Sequence, residues 1–345
     1  MSLESTRPSG HPQVQTGRIG VLLVNLGTPD GTDVPSVRRY LREFLSDPRV
    51  IEVPRLVWWF ILNLFILTFR PRRTAEAYRK VWRAASDESP LRYYTRQQAE
   101  ALAPRLSARD PRIIVDWAMR YGQPSVADRL QALQTAGADR ILVVPLYPQY
   151  SATTTATVVD CVGDALRKLR WQPTVRYCPP YHDYPDYIAA LARSLEAAEG
   201  ADDPYRVIIA SFHGLPQAYF DKGDPYYCHC AKTTRLLRQE TGLDESRLRM
   251  TFQSRFGPKA WLQPYTDHTL QALPGEGVTK VTVLTPGFAA DCVETLEEIS
   301  IAGREVFEAA GGESFVMVPC LNDSDAHIDM LQNLVSQELA GWIAS

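Results

Sequence analysis

The sequence predicts an α/β protein with two similar, doubly wound lobes, each built on a parallel sheet, and with a ligand cleft between the lobes. Short apolar runs alternate with helical patterns along the chain, as is typical of parallel sheets covered by helices on both faces. The second half of the chain repeats features of the first half. The length of 345 residues is sufficient for two domains of ordinary size.

The strands are predicted from apolar runs of four to seven residues that are bounded by turn residues. These runs are largely continuous rather than alternating, which indicates strands buried on both faces. The predicted strands are Ile19–Val24, Arg112–Trp117, Arg140–Val144, Thr174–Tyr177, Arg206–Phe212, Lys280–Leu284 and Ser314–Val318. The predicted helices include Asp128–Thr135, Tyr187–Glu199, Thr233–Thr241 and Val293–Ala310.

A weak internal repeat links corresponding positions of the two lobes. Arg120-Tyr-Gly aligns with Arg255-Phe-Gly at an offset of 135 residues, and the strand end at Pro145 aligns with Pro286 at an offset of 141 residues. Small insertions account for this change in offset. We therefore expect a disordered tail of residues 1–18, a first lobe of residues 19–170 and a second lobe of residues 171–345. The last helix could pack back onto the first lobe.

The first lobe carries an insertion relative to the second. Asn25-Leu-Gly-Thr-Pro lies 95 residues before Arg120, whereas His213-Gly-Leu-Pro lies only 42 residues before Arg255, a difference of 53 residues. An insertion of this length in a compact lobe is more typical of a functional lid or lip than of a passive connection.

An apolar lip is predicted within residues 50–75 of this insertion, where Leu56–Phe69 is almost entirely apolar. Fourteen helical residues reach about 21 Å, which is less than the ~30 Å hydrocarbon core of a bilayer. Two interpretations stay open: a buried core helix, or a lip on a membrane surface with Arg70, Arg72 and Arg73 near the headgroups. The side chains expected to form the lip are Trp58, Trp59, Phe60, Leu64 and Phe65.

The composition excludes several classes of protein. Hydrophobic residues make up 45% of the chain and charged residues 22%, as in a soluble globular protein with a large core. A net charge of −3 argues against a nucleic-acid-binding protein. The polar start of the chain contains no apolar leader, and the six cysteines are scattered. We therefore expect a cytoplasmic location and no disulfide framework.

The ends of the predicted strands indicate the kind of ligand. Ligands bind beyond the carboxyl ends of the strands in open α/β sheets, and aromatic residues and prolines dominate these ends here. The sequence contains neither a G-x-G-x-x-G pattern nor a P-loop, so a nucleotide is not expected. Aromatic strand ends suit a flat, apolar ligand between the lobes, although each aromatic residue taken singly could equally belong to the core.

A row of carboxylates follows the strand predicted at Lys280–Leu284. Asp291, Glu294 and Glu298 are spaced i, i+3, i+7, which places them within about 60° on one face of an α-helix. Such a row repels itself unless it is solvated or neutralised by cations. It is either an ordinary solvated helix face or a path for a divalent cation or for protons, and oxygen ligands suit a cation such as Fe²⁺.

His213 directly follows the strand predicted at Arg206–Phe212 in the same lobe. A single histidine is often structural. Here the side chain would face the row of carboxylates across the ligand site, and histidine is well suited to proton transfer near neutral pH. His213 is therefore a candidate catalytic residue.

Two longer segments, SFHGLPQAYFDKGDPY (211–226) and GFAADCVETLEEI (287–299), contain His213 and the carboxylates. NLGTP, YPQYS and QSRFGPKAWLQP occur at other predicted strand ends. In all five segments, and from about Arg18 to the C-terminus, the chain resembles the ferrochelatases, the terminal enzymes of haem synthesis. The first two segments resemble the family's histidine and acidic-helix signatures, and the likeness is to the protoporphyrin enzymes of Gram-negative bacteria.

The resemblance implies a two-lobed chelatase fold with a porphyrin cleft, and insertion of Fe²⁺ into protoporphyrin IX to form protohaem. It assigns His213 and Glu294 as the catalytic and metal-site pair, and Asp291 and Glu298 as an acidic path. Which member of the pair is the base and which is the metal ligand stays open. The implied porphyrin-binding positions are Leu26, Tyr78, Arg120, Tyr121, Tyr147, Thr153, Trp261 and Phe288.

The resemblance also implies partners: protoporphyrin IX, Fe²⁺, peripheral contact of the lip with the inner membrane, and contact with the preceding enzyme of the pathway. Some ferrochelatases hold a [2Fe–2S] cluster. Here Ala152 stands where one group has a cysteine, and only Cys228 and Cys230 stand where another group has four. We therefore expect no cluster and no tightly bound cofactor.

Three alternative functions are less favoured by the sequence. A coproporphyrin ferrochelatase needs more cationic contacts for four carboxylates than the apolar lip suggests. A cobalt or nickel chelatase usually offers more histidines at the metal. A non-catalytic, two-lobed tetrapyrrole-binding protein is disfavoured by the missing export signal and by the pairing of His213 with carboxylates.

Overall fold

The computed structural model describes residues 10–11 and 14–343, which form two four-stranded parallel sheets. Most of the tail expected at residues 1–18 lies outside the described residues, and Arg18 is already the first residue of a strand. The first sheet contains β1 (Arg18–Gly27), β2 (Ile113–Tyr121), β3 (Ala138–Pro145) and β4 (Thr174–Tyr177). The second contains β5 (Val207–His213), β6 (Leu248–Gln253), β7 (Lys280–Leu284) and β8 (Ser314–Met317).

Helices cover the sheets and connect their strands. Three segments are π-helical, namely π1 (Ile61–Ile66), π2 (Ala152–Ala156) and π3 (Glu294–Gly303). A 3₁₀ turn spans Leu273–Glu276. The α-helices are α1 (Val34–Leu45), α2 (Arg55–Phe60), α3 (Leu67–Val81), α4 (Pro90–Arg109), α5 (Val126–Thr135), α6 (Thr157–Leu166), α7 (Pro185–Glu196), α8 (Gln217–Asp221), α9 (Tyr226–Thr241), α10 (Thr266–Ala272), α11 (Arg304–Ala309) and α12 (Asp325–Glu338).

The two sheets share one topology, which confirms the predicted fold class. The spatial orders are β2-β1-β3-β4 and β6-β5-β7-β8, and all neighbouring strands are parallel. The turns after β2 and β6 also match. Met119 N–H donates to Pro124 O, and Phe252 N–H donates to Pro264 O, both at 2.8 Å. The repeat seen in the sequence is therefore a repeat of structure.

Three details differ from the sequence-based expectation. The strand β6 was not predicted, because Arg249 and Thr251 interrupt its apolar pattern. The strand β4 pairs with β3, so the first sheet continues past the boundary expected at residue 170. Most of the helix predicted at Val293–Ala310 is π-helical rather than α-helical.

Glycines stand at equivalent strand ends in the two lobes. Gly27 is the last residue of β1, Gly214 directly follows β5, and at both positions the backbone approaches a neighbouring strand. Gly27 has a φ of +114°, and a Cβ there would lie 1.8 Å from the carbonyl oxygen of Tyr121. A Cβ on Gly214 would lie 2.7 Å from the carbonyl oxygen of Gln253. Only glycine fits such an approach without moving the backbone. These glycines let the strand ends that carry Leu26 and His213 lie close to their neighbours.

The two lobes share one hydrophobic core. A single cluster of buried side chains takes residues from both sheets and from α4, α7 and α12, and α12 contacts α4. The fully buried Gln98 of α4 donates from Nε2 to the carbonyl oxygens of Ala289 and Asn322, both at 2.9 Å. Because buried amides need hydrogen-bond partners, these bonds hold the first lobe against the second.

The segments α1, α2, π1 and α3 form a separate apolar module, which we call the lip module (34–81). Trp58 is buried in it and donates from Nε1 to Leu45 O at 2.6 Å, so it anchors the module rather than facing outward. The outward side chains include Trp59, Phe60, Leu64 and Phe65, each about half exposed or more. Within the described residues, no helix is both long and apolar enough to span a bilayer.

Candidate active site

His213 is the last residue of β5 and lies half-buried at the carboxyl edge of the second sheet. Its Nδ1 lies 2.7 Å from the carbonyl oxygen of Gly214. Because a carbonyl oxygen only accepts, Nδ1 carries the proton, and Nε2 keeps the lone pair. The ring centroid of Phe288 lies 6.5 Å from that of His213. The histidine therefore presents a basic nitrogen beside an aromatic wall.

Glu298 of π3 is a carboxylate whose pKa is affected by the charge of His213. Ser254 donates to it twice, from the backbone N–H to Oε1 and from Oγ to Oε2, both at 2.6 Å. Burial raises the pKa of Glu298, while the bonds from Ser254 and the charge of a protonated His213 act in the opposite direction. Ser254 adopts a φ of +64° to make both bonds. The side chain of Glu298 is thus held by Ser254 within electrostatic range of His213.

Glu294 begins π3 and faces the first lobe. Its backbone oxygen accepts from Gln253 Nε2 at 2.8 Å, which fixes the start of the helix next to β6. Burial raises the pKa of the phenols of Tyr40 and Tyr78, and the carboxylate of Glu294 raises each of them further. The carboxylate therefore lies near the hydroxyls of the lip module, and its charge also raises the pKa of Glu298, four residues further along π3.

Asp291 does not share the helical face that the spacing predicts. It precedes π3, is buried, and accepts hydrogen bonds from Thr295 Oγ1 at 3.0 Å and Asn322 Nδ2 at 2.7 Å. Backbone bonds in a π-helix join residues five apart, so angles calculated for an α-helix do not apply. The structure brings Glu294 and Glu298 to the site but commits Asp291 to contacts within the second lobe.

Several of the predicted macrocycle contacts meet where the lobes face each other. Leu26 of the first lobe and Phe288 of the second pack on one small apolar cluster around Leu91. Trp261 is half-buried beside Gly214 and donates from Nε1 to Phe256 O at 2.9 Å. These aromatic and aliphatic side chains give the cleft apolar walls, whereas Tyr78 lies deeper, in the lip module.

Tyr147 and Thr153 follow β3 at the carboxyl edge of the first sheet. Thr153 Oγ1 lies 2.9 Å from Ser151 Oγ. The buried hydroxyl of Tyr147 has no hydrogen-bond partner among the described residues, and the same holds for the hydroxyl of Thr155. Buried hydroxyls without partners are rare in native proteins. Two of them near one sheet edge are consistent with a ligand-binding surface.

Arg120 and Tyr121 are held inside the first lobe. The guanidinium of Arg120 pairs with Asp47 and also donates from Nε to Thr157 O at 2.9 Å. The hydroxyl of Tyr121 donates to Asp47 Oδ2 at 2.9 Å, and its side chain is buried against Phe44. The structure therefore does not bring Tyr121 to the surface of the cleft, and it commits the charge of Arg120 to Asp47.

No ready-made metal centre is visible in the part of the chain that the structure describes. No three His, Cys, Asp or Glu side chains converge there in a way that could hold a metal ion. The six cysteines are free thiols, with Cys228 exposed and Cys230 buried on α9. His213, Glu294 and Glu298 are thus separate groups around a cleft rather than a preformed ligand set.

A comparison of the chain with models of protein families shows which family it belongs to. The profile described as Ferrochelatase matches residues 18–339. The chain belongs to the ferrochelatase family. It is a metal chelatase of the lyase class, which inserts Fe²⁺ into a porphyrin for haem synthesis. The resemblance noted in the sequence is thereby confirmed.

Curated ferrochelatases match the chain along nearly its whole length. The ferrochelatase of Rhizobium meliloti is 56% identical over 334 residues, which cover 96% of this chain and 98% of the relative. The ferrochelatase of Bradyrhizobium diazoefficiens is 54% identical over 347 residues, which cover 99% of this chain and all of the relative.

Solved structures of distant proteins share the ferrochelatase fold seen here. SirB from Bacillus subtilis, determined with Fe³⁺, aligns with a TM-score of 0.57 at 12% identity over 94% of this chain and 97% of SirB. A multi-domain protein of Deinococcus radiodurans, described as structurally similar to chelatases, aligns with a TM-score of 0.53 at 14% identity over 92% of this chain and 54% of that protein. At these identities the likeness concerns the fold alone.

Sequence reasoning missed three residues of this site. Ser254 and Gln253 hold Glu298 and Glu294, and the repeat could have indicated them because they directly precede Arg255, the counterpart of Arg120. Tyr40 carried no such signal, since it belongs to the regular apolar face of α1.

Proposed function

We propose that the porphyrin is protoporphyrin IX and that His213 accepts its pyrrole protons as Fe²⁺ enters the ring. A free-base porphyrin carries two N–H protons that must leave, so the reaction needs a base beside the macrocycle. The observation that carries this proposal is the tautomer of His213. Its Nδ1–H is engaged by Gly214 O at 2.7 Å, which leaves the lone pair of Nε2 for a proton.

Glu298 and Glu294 would act as two neighbouring carboxylates on π3. Glu298 is electrostatically coupled to His213 and takes over the proton that the histidine has accepted. Glu294, beside the phenols of the lip module, offers an oxygen ligand to the incoming iron. Glu297, on the same helix, pairs with Lys80 at 2.8 Å and continues the row of carboxylates toward solvent.

Replacing Ser254 with Ala is expected to weaken catalysis at acidic pH. The variant loses one of two hydrogen bonds that favour ionised Glu298, so the pKa of Glu298 rises further. A protonated Glu298 cannot accept a proton from His213. We expect kcat/KM on the acidic limb of the pH profile to fall about 10-fold and the limb to move to higher pH. Ser300→Ala on the same helix is the control, and an unmoved acidic limb in Ser254→Ala contradicts the proposed role.

The apolar walls of the cleft suit the flat face of the macrocycle. Leu26 and Phe288 would lie against opposite parts of the ring, and Trp261 would pack at its edge near His213. The unpaired hydroxyl of Tyr147 is the proposed polar contact on the side of the first lobe. Rigid walls of this kind can bend the ring and so turn its nitrogen lone pairs toward the entering iron.

The exposed apolar side chains of the lip module would rest on the surface of the inner membrane, on its cytoplasmic side. Trp59, Phe60, Leu64 and Phe65 supply the apolar face, and the exposed guanidinium groups of Arg72 and Arg73 lie nearby on α3. Amphipathic surfaces of this composition bind at the boundary between headgroups and acyl chains. Protoporphyrin is itself poorly soluble in water, and a handover from the preceding enzyme at the membrane would fit this surface.

Removing two of these side chains is expected to weaken binding to vesicles. Trp59→Ser combined with Phe65→Ser should lower the fraction bound to anionic lipid vesicles by about 10-fold or more, because two large apolar groups are lost. Insertion of metal into detergent-solubilised porphyrin should change less than about two-fold. Trp171→Ser combined with Tyr205→Ser, two exposed aromatic residues elsewhere, is the control. Unchanged vesicle binding of the lip variant would count against the membrane contact.

Substrate choice is tested directly by following the Soret and Q bands with protoporphyrin or coproporphyrin and each divalent metal. We expect Fe²⁺ with protoporphyrin to react fastest. Coproporphyrin carries four carboxylates, and the exposed lip side chains Trp59, Phe60, Leu64 and Phe65 offer no charge to bind them. Preferential turnover of coproporphyrin, or insertion of cobalt or nickel in place of iron, would contradict the proposal.

A further inference from the structure

The segment that leads from the end of β3 into π2 carries Tyr147 and Thr153 and is held from the other lobe. Asp224 lies two residues before α9 in the second lobe. Its Oδ2 accepts from Ser151 Oγ at 3.0 Å and from the backbone N–H of Ala152 at 2.8 Å. One carboxylate oxygen thus joins the lobes at the start of π2.

Two further side chains on one face of α9 continue this contact. His229 Nδ1 accepts from the backbone N–H of Tyr150 at 3.1 Å. Thr233, one helical turn later, accepts at Oγ1 from Gln149 Nε2 at 3.1 Å. We call Asp224, His229 and Thr233 the α9 latch. Its three members hold four successive residues, 149–152, of the segment that leads from Tyr147 to Thr153.

We propose that the α9 latch sets the distance between the porphyrin-contacting segment 147–153 and the lobe that carries His213, with His229 as a positioning residue. The proposal rests on the proposed contact of Tyr147 and Thr153 with the porphyrin. It also gives the Cys228-His229-Cys230 sequence a role that needs no metal, since His229 Nδ1, a potential ligand atom, is occupied by Tyr150 N–H.

The latch requires an unprotonated Nδ1 on His229, because a backbone N–H can only donate. The ring of His182 stacks on that of His229 with centroids 3.6 Å apart and planes 5° apart. Two charged imidazolium rings at this distance would repel strongly. The charged groups facing the pair are Asp183, Lys232 and Asp224, and Asp183 pairs with Lys232. The nearly buried Nδ1 of His182 has no hydrogen-bond partner among the described residues.

Burial lowers the pKa of both rings, that of His182 to about 4 with a further contribution from His229. A histidine whose pKa is lowered in the folded protein stays neutral down to a pH below its ordinary value. The bond from Tyr150 is therefore present at neutral pH and is lost as the pH falls through the lowered pKa of His229. Porphyrin affinity should weaken with it.

Two substitutions separate the acceptor atom from the ring. His229→Phe keeps the stack on His182 but removes the acceptor, and His229→Asn keeps an acceptor near the position of Nδ1 but removes the ring and its titration. We expect His229→Phe to raise the KM for protoporphyrin about 10-fold while kcat stays within about two-fold of the parent. We expect His229→Asn to keep the KM of the parent at neutral pH and to lack the increase in KM that the parent shows at acidic pH. Cys228→Ser, on the exposed neighbour, should change neither parameter.

Hydrogen exchange of the Tyr150 amide, measured without porphyrin, tests the latch independently of the substrate. We expect faster exchange in His229→Phe than in the parent and His229→Asn, with thermal unfolding verifying that each variant is folded. Equal exchange in all three, or a His229→Asn variant as impaired as His229→Phe, overturns the latch. If exchange changes as expected but a Tyr147→Phe variant and His229→Phe both leave KM unaltered, the proposed porphyrin contact has failed, and with it the positioning role of His229.

Discussion

His213→Ala is expected to lower kcat for Fe²⁺ or Zn²⁺ insertion by about 10²–10⁴-fold. The side chain removed is the proposed base, whose Nδ1 is engaged by Gly214 O and whose Nε2 is left to accept a proton. The porphyrin KM should change little, because the apolar walls around Leu26 and Phe288 remain. Steady-state rates from the shift of the Soret band measure both parameters.

The matched control is His268→Ala, which removes an exposed histidine of the same lobe whose ring nitrogen contacts Arg255. It should leave kcat within about two-fold of the parent. Added imidazole should partly restore the activity of His213→Ala if the missing group is a base, since the ligand can occupy the space left by the side chain. A kcat for His213→Ala close to that of the parent would rule out the proposed mechanism.

Gly27→Ala is expected to abolish folding or to reduce the free energy of unfolding by more than ~4 kcal/mol. The new Cβ would lie 1.8 Å from the carbonyl oxygen of Tyr121. Neither residue can move away, because the pairing of β1 with β2 fixes the backbone of both. The φ of +114° adds a strain that only glycine avoids. Urea unfolding followed by circular dichroism measures the effect.

Gly163→Ala is the control for this substitution. Gly163 lies inside α6, and no atom beyond its own stretch of helix comes within 4 Å of the position that an alanine methyl group would take. Alanine should therefore stabilise the helix by ~0.5–1 kcal/mol. Opposite signs for the two variants would show that the position of the glycine decides the effect. A Gly27→Ala variant within ~1 kcal/mol of the parent would contradict the close approach described here.

The framework of this fold can be predicted from the sequence because it depends on local apolar runs and on the repeat. The runs at Ile19–Val24 and Lys280–Leu284 are buried strands, and equivalent strand ends place His213 at a sheet edge. The strand β6 was not predicted, because Arg249 and Thr251 interrupt its apolar run. Its neighbour in the sheet, β5, has a continuous apolar run and was predicted.

The details of the site could not be predicted in the same way, since they depend on partners far away in the sequence. The pairing of Arg120 with Asp47 spans 73 residues, and the bonds from Ser254 to Glu298 span 44. The spacing of acidic residues indicates a helix, but it shows neither the π form of that helix nor its start after Asp291, whose carboxylate is held by Asn322 instead. Local pattern thus locates the strand ends, and tertiary contacts decide which side chains act there.

The buried amide of Gln98 has a consequence for how the flat, rigid porphyrin reaches the reaction site. Its two bonds to Ala289 and Asn322 lie in a core shared by both lobes. A hinge motion that separates the lobes would therefore break buried hydrogen bonds and expose apolar surface. We therefore expect substrate to enter without separation of the lobes, and a cross-link between α4 and α12, which are in contact, should leave turnover unchanged.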